Sequence, residues 1–187
     1  ETGHALQGSL TGVFAGASGG EYCLVSTNQP VRAYTATGAH TAIVSNRLSY
    51  CLGLEGPSMS IDTACSSGLV ALDAACQNLG SLGCSLALAV CTGVILSPAG
   101  FVMLCCTHML SPDGRCKTFD ASADGYARAE GCVAVVLQNG VSDEALVVVR
   151  GSAVNQDGRT ANLTSPNGPA QQRVINRALV RGGVQPL

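Results

Sequence analysis

The stretch SIDTACSSGLVALDAACQNL, Ser60 to Leu79, holds two patterns that belong to different elements. Up to Ala64 the chain is apolar and β-prone, and Glu55-Gly56-Pro57 supplies a turn before it, so Gly56–Ala64 is predicted to be a strand. From Cys65 the period changes. Leu69, Leu72, Cys76 and Leu79 recur at helical spacing on one face, and Gly80 supplies the stop. A strand therefore runs almost directly into a helix, with a cysteine at the corner.

The same reading extends in both directions. ETGHALQGSL is polar and passes from helix to loop character, and TGVFAGAS (Thr11–Ser18) reads as a short buried strand. Thr41–Tyr50 is predicted as a helix with Ile43, Val44 and Leu48 on one side. LALAVCTGVIL (Leu86–Leu96) has the continuous apolar character of a central parallel strand. GCVAVVLQN and ALVVVRGSAV are predicted as two further strands, and PAQQRVINRALVRGG as a last helix, with Pro169 at its start and Gly182-Gly183 at its end. Strands interspersed with helices imply an α/β layered fold with a largely parallel sheet, in one unit without repeat or linker.

Composition narrows the function. The 187 residues suffice for one hydrophobic core. A net charge of −2 without a polybasic run gives no reason to expect nucleic acid or an anionic membrane as partner. Charged residues are only 12%, about half the usual ~25%. Together with a start at Glu1 rather than methionine, this suggests a piece of a larger assembly. LALAVCTGVILSPAGFVMLCC is long enough to raise a membrane span, but Ser97-Pro98-Ala99-Gly100 interrupts it and no Lys or Arg closely flanks it, so none is expected.

Ten cysteines are scattered without CxxC spacing, and no secretory signal is visible. We read nearly all, among them Cys23, Cys51, Cys76, Cys91 and Cys132, as small buried hydrophobes in a reducing, cytoplasmic compartment. His4, His40 and His108 show no zinc-ligand spacing with them.

Cys65 invites a chemical reading. A helix N-terminus carries unsatisfied N–H groups and a partial positive charge, which favour an anion there. Thiolate is the nucleophilic form of cysteine, and the same N–H groups can hold the oxyanion formed when it attacks a carbonyl. Spacing alone leaves the alternative open that Cys65 fills space like its companions, with Ser66 and Ser67 as ordinary caps.

EGPSMSIDTACSSGLVAL resembles the active-site segment of β-ketoacyl synthases, in the form used by type I polyketide synthases. In the family's order the chain also shows TGVFAGAS, SNRLSY, VILSP, MLSPDGRCKTFDASADGYARAEGC, RGSAVNQDGRT and LTSPNGPAQQRVI. The resemblance implies a thiolase-type αβαβα sandwich, of which residues 1–187 would be a partial domain. It implies a homodimer in which strand 56–64 pairs across the two-fold axis. Cys65 would take an acyl group from the phosphopantetheine arm of an acyl carrier protein, its N–H serving as an oxyanion donor, with no metal or redox cofactor. Decarboxylative Claisen condensation with a malonyl-type carrier protein would then give a β-ketoacyl product, in polyketide or fatty acid biosynthesis.

The two histidines and the lysine the family uses lie downstream of the last helix, and His4, His40 and His108 match none of them. The chain alone is therefore expected to be inactive in condensation, and a condensation-inactive scaffold or decarboxylase is the alternative. Against the family pattern, Gly68 replaces a serine, Val90-Cys91 replaces a Gly-Gly step and Ala129 replaces a glycine. These suggest a divergent member.

Other constellations carry less. Gly16-Ala17-Ser18-Gly19-Gly20 satisfies G-x-S-x-G, with Ser18 as the remote candidate for a serine hydrolase, but Pro30 follows a poor helix. Asp113, Asp120 and Asp124 lack EF-hand spacing and are read as turn formers. Arg128 is expected either to pair with Glu130 or to help order a loop beside the active site. Asn155–Gly158 and Asn167-Gly168-Pro169 are expected to shape loops.

Overall fold

A computed structural model describes residues 6–17, 20–26, 30–81 and 83–185, without the side chains of residues 23 and 24. Four strands form one sheet: β1 (Thr11–Ala17), β2 (Ser58–Ile61), β3 (Leu86–Gly93) and β4 (Gly131–Gln138), in the order β2-β1-β3-β4. β1 runs parallel to both neighbours, with Phe14 opposite Met59 on one side and Ala89 on the other. β4 is antiparallel to β3. The sheet is thus mixed rather than uniformly parallel.

Side-chain alternation divides the sheet faces. Phe14, Ala87 and Ala89 point toward α4 (Ser67–Gly80) and form the main core with Ala71, Ala75, Leu79 and Cys84. On the other face α3 (Ala42–Leu52) packs through serines: Ser60 Oγ donates to Ser45 Oγ at 3.0 Å, and Ser49 Oγ to Ser58 Oγ at 3.2 Å. α3 ends at Gly53, in the left-handed conformation that glycine adopts without steric cost. Two short helices, α1 (Glu21–Ser26) and α2 (Thr35–Ala39), follow β1, and α5 (Ala99–Cys106) follows β3. The last helix, α6 (Gly168–Arg181), starts as expected with proline in its first turn, and Asn167, expected only to shape a loop, caps it: its Oδ1 accepts from Ala170 N. The loop before it is shaped by Asp157, whose carboxylate accepts from Asn167 N.

Three expectations fail for physical reasons. Of the face expected on α4, Leu79 is in the core, Leu72 packs against it and Cys76 is half-buried, but Leu69 is 74% exposed, and Ser67, Ala71 and Ala75 are buried in its place. The helix lies so close to the sheet that small residues fit against it and the larger leucine is turned out. The run ALVVVRGSAV forms no strand. Its valines have the propensity, but no partner strand lies beside them among the described residues, and strand propensity needs a neighbour to pack against. Instead Gly151 lies against the end of α6, where a Cβ would stand 2.5 Å from Gly182 N.

Burial of the cysteines is the third. Only Cys84 is buried among the described side chains; Cys76 and Cys91 are half-buried and Cys51, Cys65, Cys105, Cys106, Cys116 and Cys132 are exposed. Most of these sit on α5, β4 and other elements with a face that nothing described covers. No helix among the described residues is long and apolar enough to cross a membrane.

Phe14 is fully buried at the centre of the main core. Phe14→Ala is expected to lower stability by about 3–5 kcal/mol, read as a reduced urea midpoint; an unchanged midpoint would show that the core lies elsewhere.

Candidate active site

The corner at Cys65 is a tight turn, not the first turn of the helix. β2 ends at Ile61, a short 3₁₀ turn spans Ala64–Ser66, and α4 starts at Ser67, two residues later than the periodicity suggests. Ala64 has φ +56°, a left-handed conformation unusual for a residue with a side chain. Such a conformation costs of order 1–3 kcal/mol and persists only where surrounding bonds enforce it.

The enforcing bonds come from Ser67, which is 1% exposed. Its Oγ donates to the Ala64 carbonyl at 2.7 Å and accepts from Thr63 N at 2.9 Å. Asp62 Oδ1 accepts from Ala64 N at 3.0 Å. Ser66 is no ordinary cap, because its hydroxyl turns back to the Thr63 carbonyl at 2.9 Å. The N–H groups of Thr63, Ala64, Ser66 and Ser67 are all engaged within this turn. That of Cys65 has no partner among the described residues. Its thiol is exposed.

Glycines let α4 come down onto the sheet behind this turn. A Cβ on Gly16 of β1 would lie 2.7 Å from the Ser67 carbonyl carbon and 2.8 Å from Gly68 N. A Cβ on Gly68 would lie 3.0 Å from Cys91 Sγ. The side chain missing at Gly68 thus makes room for the one present at Cys91. The Cβ of a serine at 68 would press on the Cys91 side chain, which would have to give by a few tenths of an ångström.

Because β1, β2 and β3 are parallel, their carboxyl ends share one edge of the sheet, where sites of α/β folds gather. Cys65 follows the end of β2, Glu21 the end of β1, and Ile95–Ser97 the end of β3. Glu21 Oε2 accepts from Leu96 N at 2.7 Å and Ser97 N at 3.1 Å; Glu130 Oε1 accepts from Ile95 N at 2.7 Å. Arg128 thus pairs with Glu21 and not with Glu130, which holds the backbone instead. Chain proximity of Arg128 and Glu130 suggests the wrong partner, because the cation's partner lies 107 positions away in sequence.

The remaining candidates are structural. Lys117 Nζ lies between Asp113 at 3.2 Å and Asp124 at 2.9 Å, so the acidic loop holds its own cation. His40 Nδ1 accepts from Ala42 N, and His108 is exposed. Ser18 and His4 lie outside the described residues. Sequence reading missed Asp73, nearly buried on α4, which accepts from Gln77 Nε2 at 2.6 Å and Ser152 Oγ at 2.7 Å. A lone acid in a long uncharged stretch was the available signal. Burial, and then the charge of Asp73, push the Cys76 thiol up, and burial does the same to Cys84.

Comparison with known proteins places this geometry. Residues 2–142 match the beta-ketoacyl synthase N-terminal domain and residues 146–187 the corresponding C-terminal domain. The chain belongs to the beta-ketoacyl synthase family. This ketosynthase chain is 51% identical over 183 residues to a polyketide synthase of Streptomyces halstedii, covering 94% of the chain and 3% of that protein. It is 47% identical to an erythronolide synthase of Saccharopolyspora erythraea, covering 97% of the chain and 6% of that protein. It superimposes on the oxazolomycin ketosynthase domain of Streptomyces albus with a TM-score of 0.88 and 38% identity, over 98% of this chain and 34% of that one. A ketosynthase of the bacillaene synthase of Bacillus subtilis gives 0.83 and 32%, over 97% and 32%. The thiolase-like α/β fold is thereby shown, and the chain spans about a third of the ketosynthase chains it overlays.

Two measurements test the site's construction. Gly68→Ser should destabilise the ketosynthase chain and Cys91→Gly should recover most of the loss, with a coupling of about 0.5–3 kcal/mol in a double-mutant cycle; additive effects would refute the contact. The Arg128 guanidinium, then the Leu96 N–H, hold the Glu21 carboxyl below the usual carboxylate range, with burial opposing. A lowered folded value means stability that is full above the unfolded value of about 4.3 and lost as pH falls through the folded one. Arg128→Met should therefore move acid unfolding to higher pH, and an unmoved midpoint contradicts the pairing.

Proposed function

We propose that this chain carries the acyl-accepting nucleophile of a polyketide ketosynthase, and that Cys65 is that residue. The observation that carries the reading is the turn itself: an exposed thiol beside an uncommitted N–H, where four neighbouring N–H groups are all committed. The Cys65 thiolate attacks the carbonyl carbon of an acyl thioester, and the negative charge on oxygen is met by the Cys65 N–H. Collapse of the tetrahedral species expels the carrier's thiolate, which takes up a proton, and leaves the acyl group on Cys65. The acyl donor is a phosphopantetheine thioester on an acyl carrier protein, as befits relatives that are polyketide synthases. No metal or redox cofactor takes part in this transfer. In the whole protein the acyl-cysteine then condenses with a malonyl-derived carbanion, with loss of carbon dioxide.

Two further parts of the reading concern assembly and place. β2 lies at the edge of the sheet, and a second copy would extend the sheet there through residues 56–64. Sedimentation of the whole protein should give twice the mass of one copy; a monomer at every concentration counts against this. A reducing cytoplasmic compartment suits the exposed thiols.

Incubation with an acyl N-acetylcysteamine thioester, followed by peptide mass spectrometry, is expected to add one acyl group at Cys65 and none in Cys65→Ala. Acylation that persists in the variant, or falls evenly on all cysteines, would overturn the assignment.

A further inference from the structure

Three consecutive backbone N–H groups, of Ile95, Leu96 and Ser97, are held by two carboxylates from remote parts of the chain. Such N–H groups are usually satisfied by helix, sheet or water. Here the loop leaving β3 makes neither ladder nor helix at these positions, and its shape depends on Glu21 and Glu130.

Arg128 secures the arrangement. It is ion-paired to Glu21, with side-chain exposures of 16% and 10%, and its guanidinium lies 4.7 Å from the centre of the Phe101 ring of α5. Gly100 shows how tightly the pieces fit, since a Cβ there would stand 2.5 Å from Arg128 Nη1 and 2.6 Å from Glu21 Oε1. Nη1 itself is buried without a hydrogen-bond partner among the described residues. The cation is kept in place by the ion pair and the ring, at the cost of one unsatisfied donor. One charged pair thus joins α1, the β3–α5 loop, α5 and the segment before β4, and it does so at the sheet edge that also carries Cys65.

We propose that Glu21 and Arg128 are positioning residues for acyl transfer, fixing the Ile95–Ser97 loop as a wall against which the acyl chain is oriented toward Cys65; this rests on the function assigned above. The pair leaves the chemistry of the thiol alone and acts on where the acyl group lies. A reagent too small to need a wall should therefore ignore its loss, and an acyl thioester should not.

The test uses the full-length protein that carries this chain, as wild type and as Arg128→Ala, each checked by circular dichroism. Hydrogen exchange should show the amides of residues 95–97 exchanging at least about tenfold faster in the variant. Acylation of Cys65 by the N-acetylcysteamine thioester should slow by about 10- to 100-fold. Alkylation of Cys65 by iodoacetamide should change by less than about twofold, since the turn at Ala64 is untouched. Arg128→Lys, which keeps the charge and loses the fork, should fall between the two. Glu130→Ala, which frees only Ile95, serves if Arg128→Ala does not fold and should reproduce the selective loss in weaker form.

Faster exchange with unchanged acylation would overturn the positioning role, and unchanged exchange would overturn the clasp. Equal slowing of alkylation and acylation would show general disruption and refute the proposal. A wild-type protein that acylates elsewhere than Cys65 would instead sink the functional reading, and this proposal with it.

Discussion

Ala64 stands at φ +56° because Ser67, one turn ahead, holds both sides of it. The serine hydroxyl accepts from the N–H of Thr63, before the strained residue, and gives its own proton to the carbonyl of Ala64 itself. This closes a loop too small for relaxed backbone, and the next residue, Cys65, is thrown outward with its N–H uncommitted. A glycine at 64 would adopt the conformation at no cost but would also sample others. An alanine held there by a buried serine trades a little stability for a single orientation of the thiol.

That turn is useful only if the helix behind it stays put, and the sheet fixes its height. Gly16 lets the amino end of α4 touch β1, while Cys91 and Gly68 fit one another like a projection and a recess. Farther along, Ala71 and Ala75 continue the close approach and Phe14 fills the space between sheet and helix. Parallel strands then do what they do throughout α/β folds: they deliver three loops to one edge, so that residues distant in sequence meet at the edge that carries Cys65. The carboxylates of Glu21 and Glu130 hold the loop leaving β3 in the same neighbourhood.

The sequence disclosed the parts governed by local rules. Strand β2 leading toward α4, and α6 opening with Pro169 in its first turn, follow from backbone preferences written in a few adjacent residues. Cys65 was legible as a residue at a corner, and its chemical reading came from resemblance. What was hidden depends on tertiary distance. Leu69 follows helical period yet faces out, because the helix is seated by its alanines. Val147, Val148 and Val149 have strand propensity but join no strand among the described residues, and remain exposed. The pairing of Arg128 with Glu21 could not be seen along the chain, and the exposure of most cysteines reflects faces that no described residue covers.

If the sulfur of Cys65 captures an acyl carbon, as proposed, the acyl oxygen lies against the N–H of the same residue. A crystal structure of the intact ketosynthase after reaction with an acyl chloromethyl ketone should show the label on the sulfur of residue 65, its ketone oxygen about 2.7–3.2 Å from the amide nitrogen of that residue. A label on another cysteine, or an oxygen directed away from that nitrogen into solvent, would contradict it.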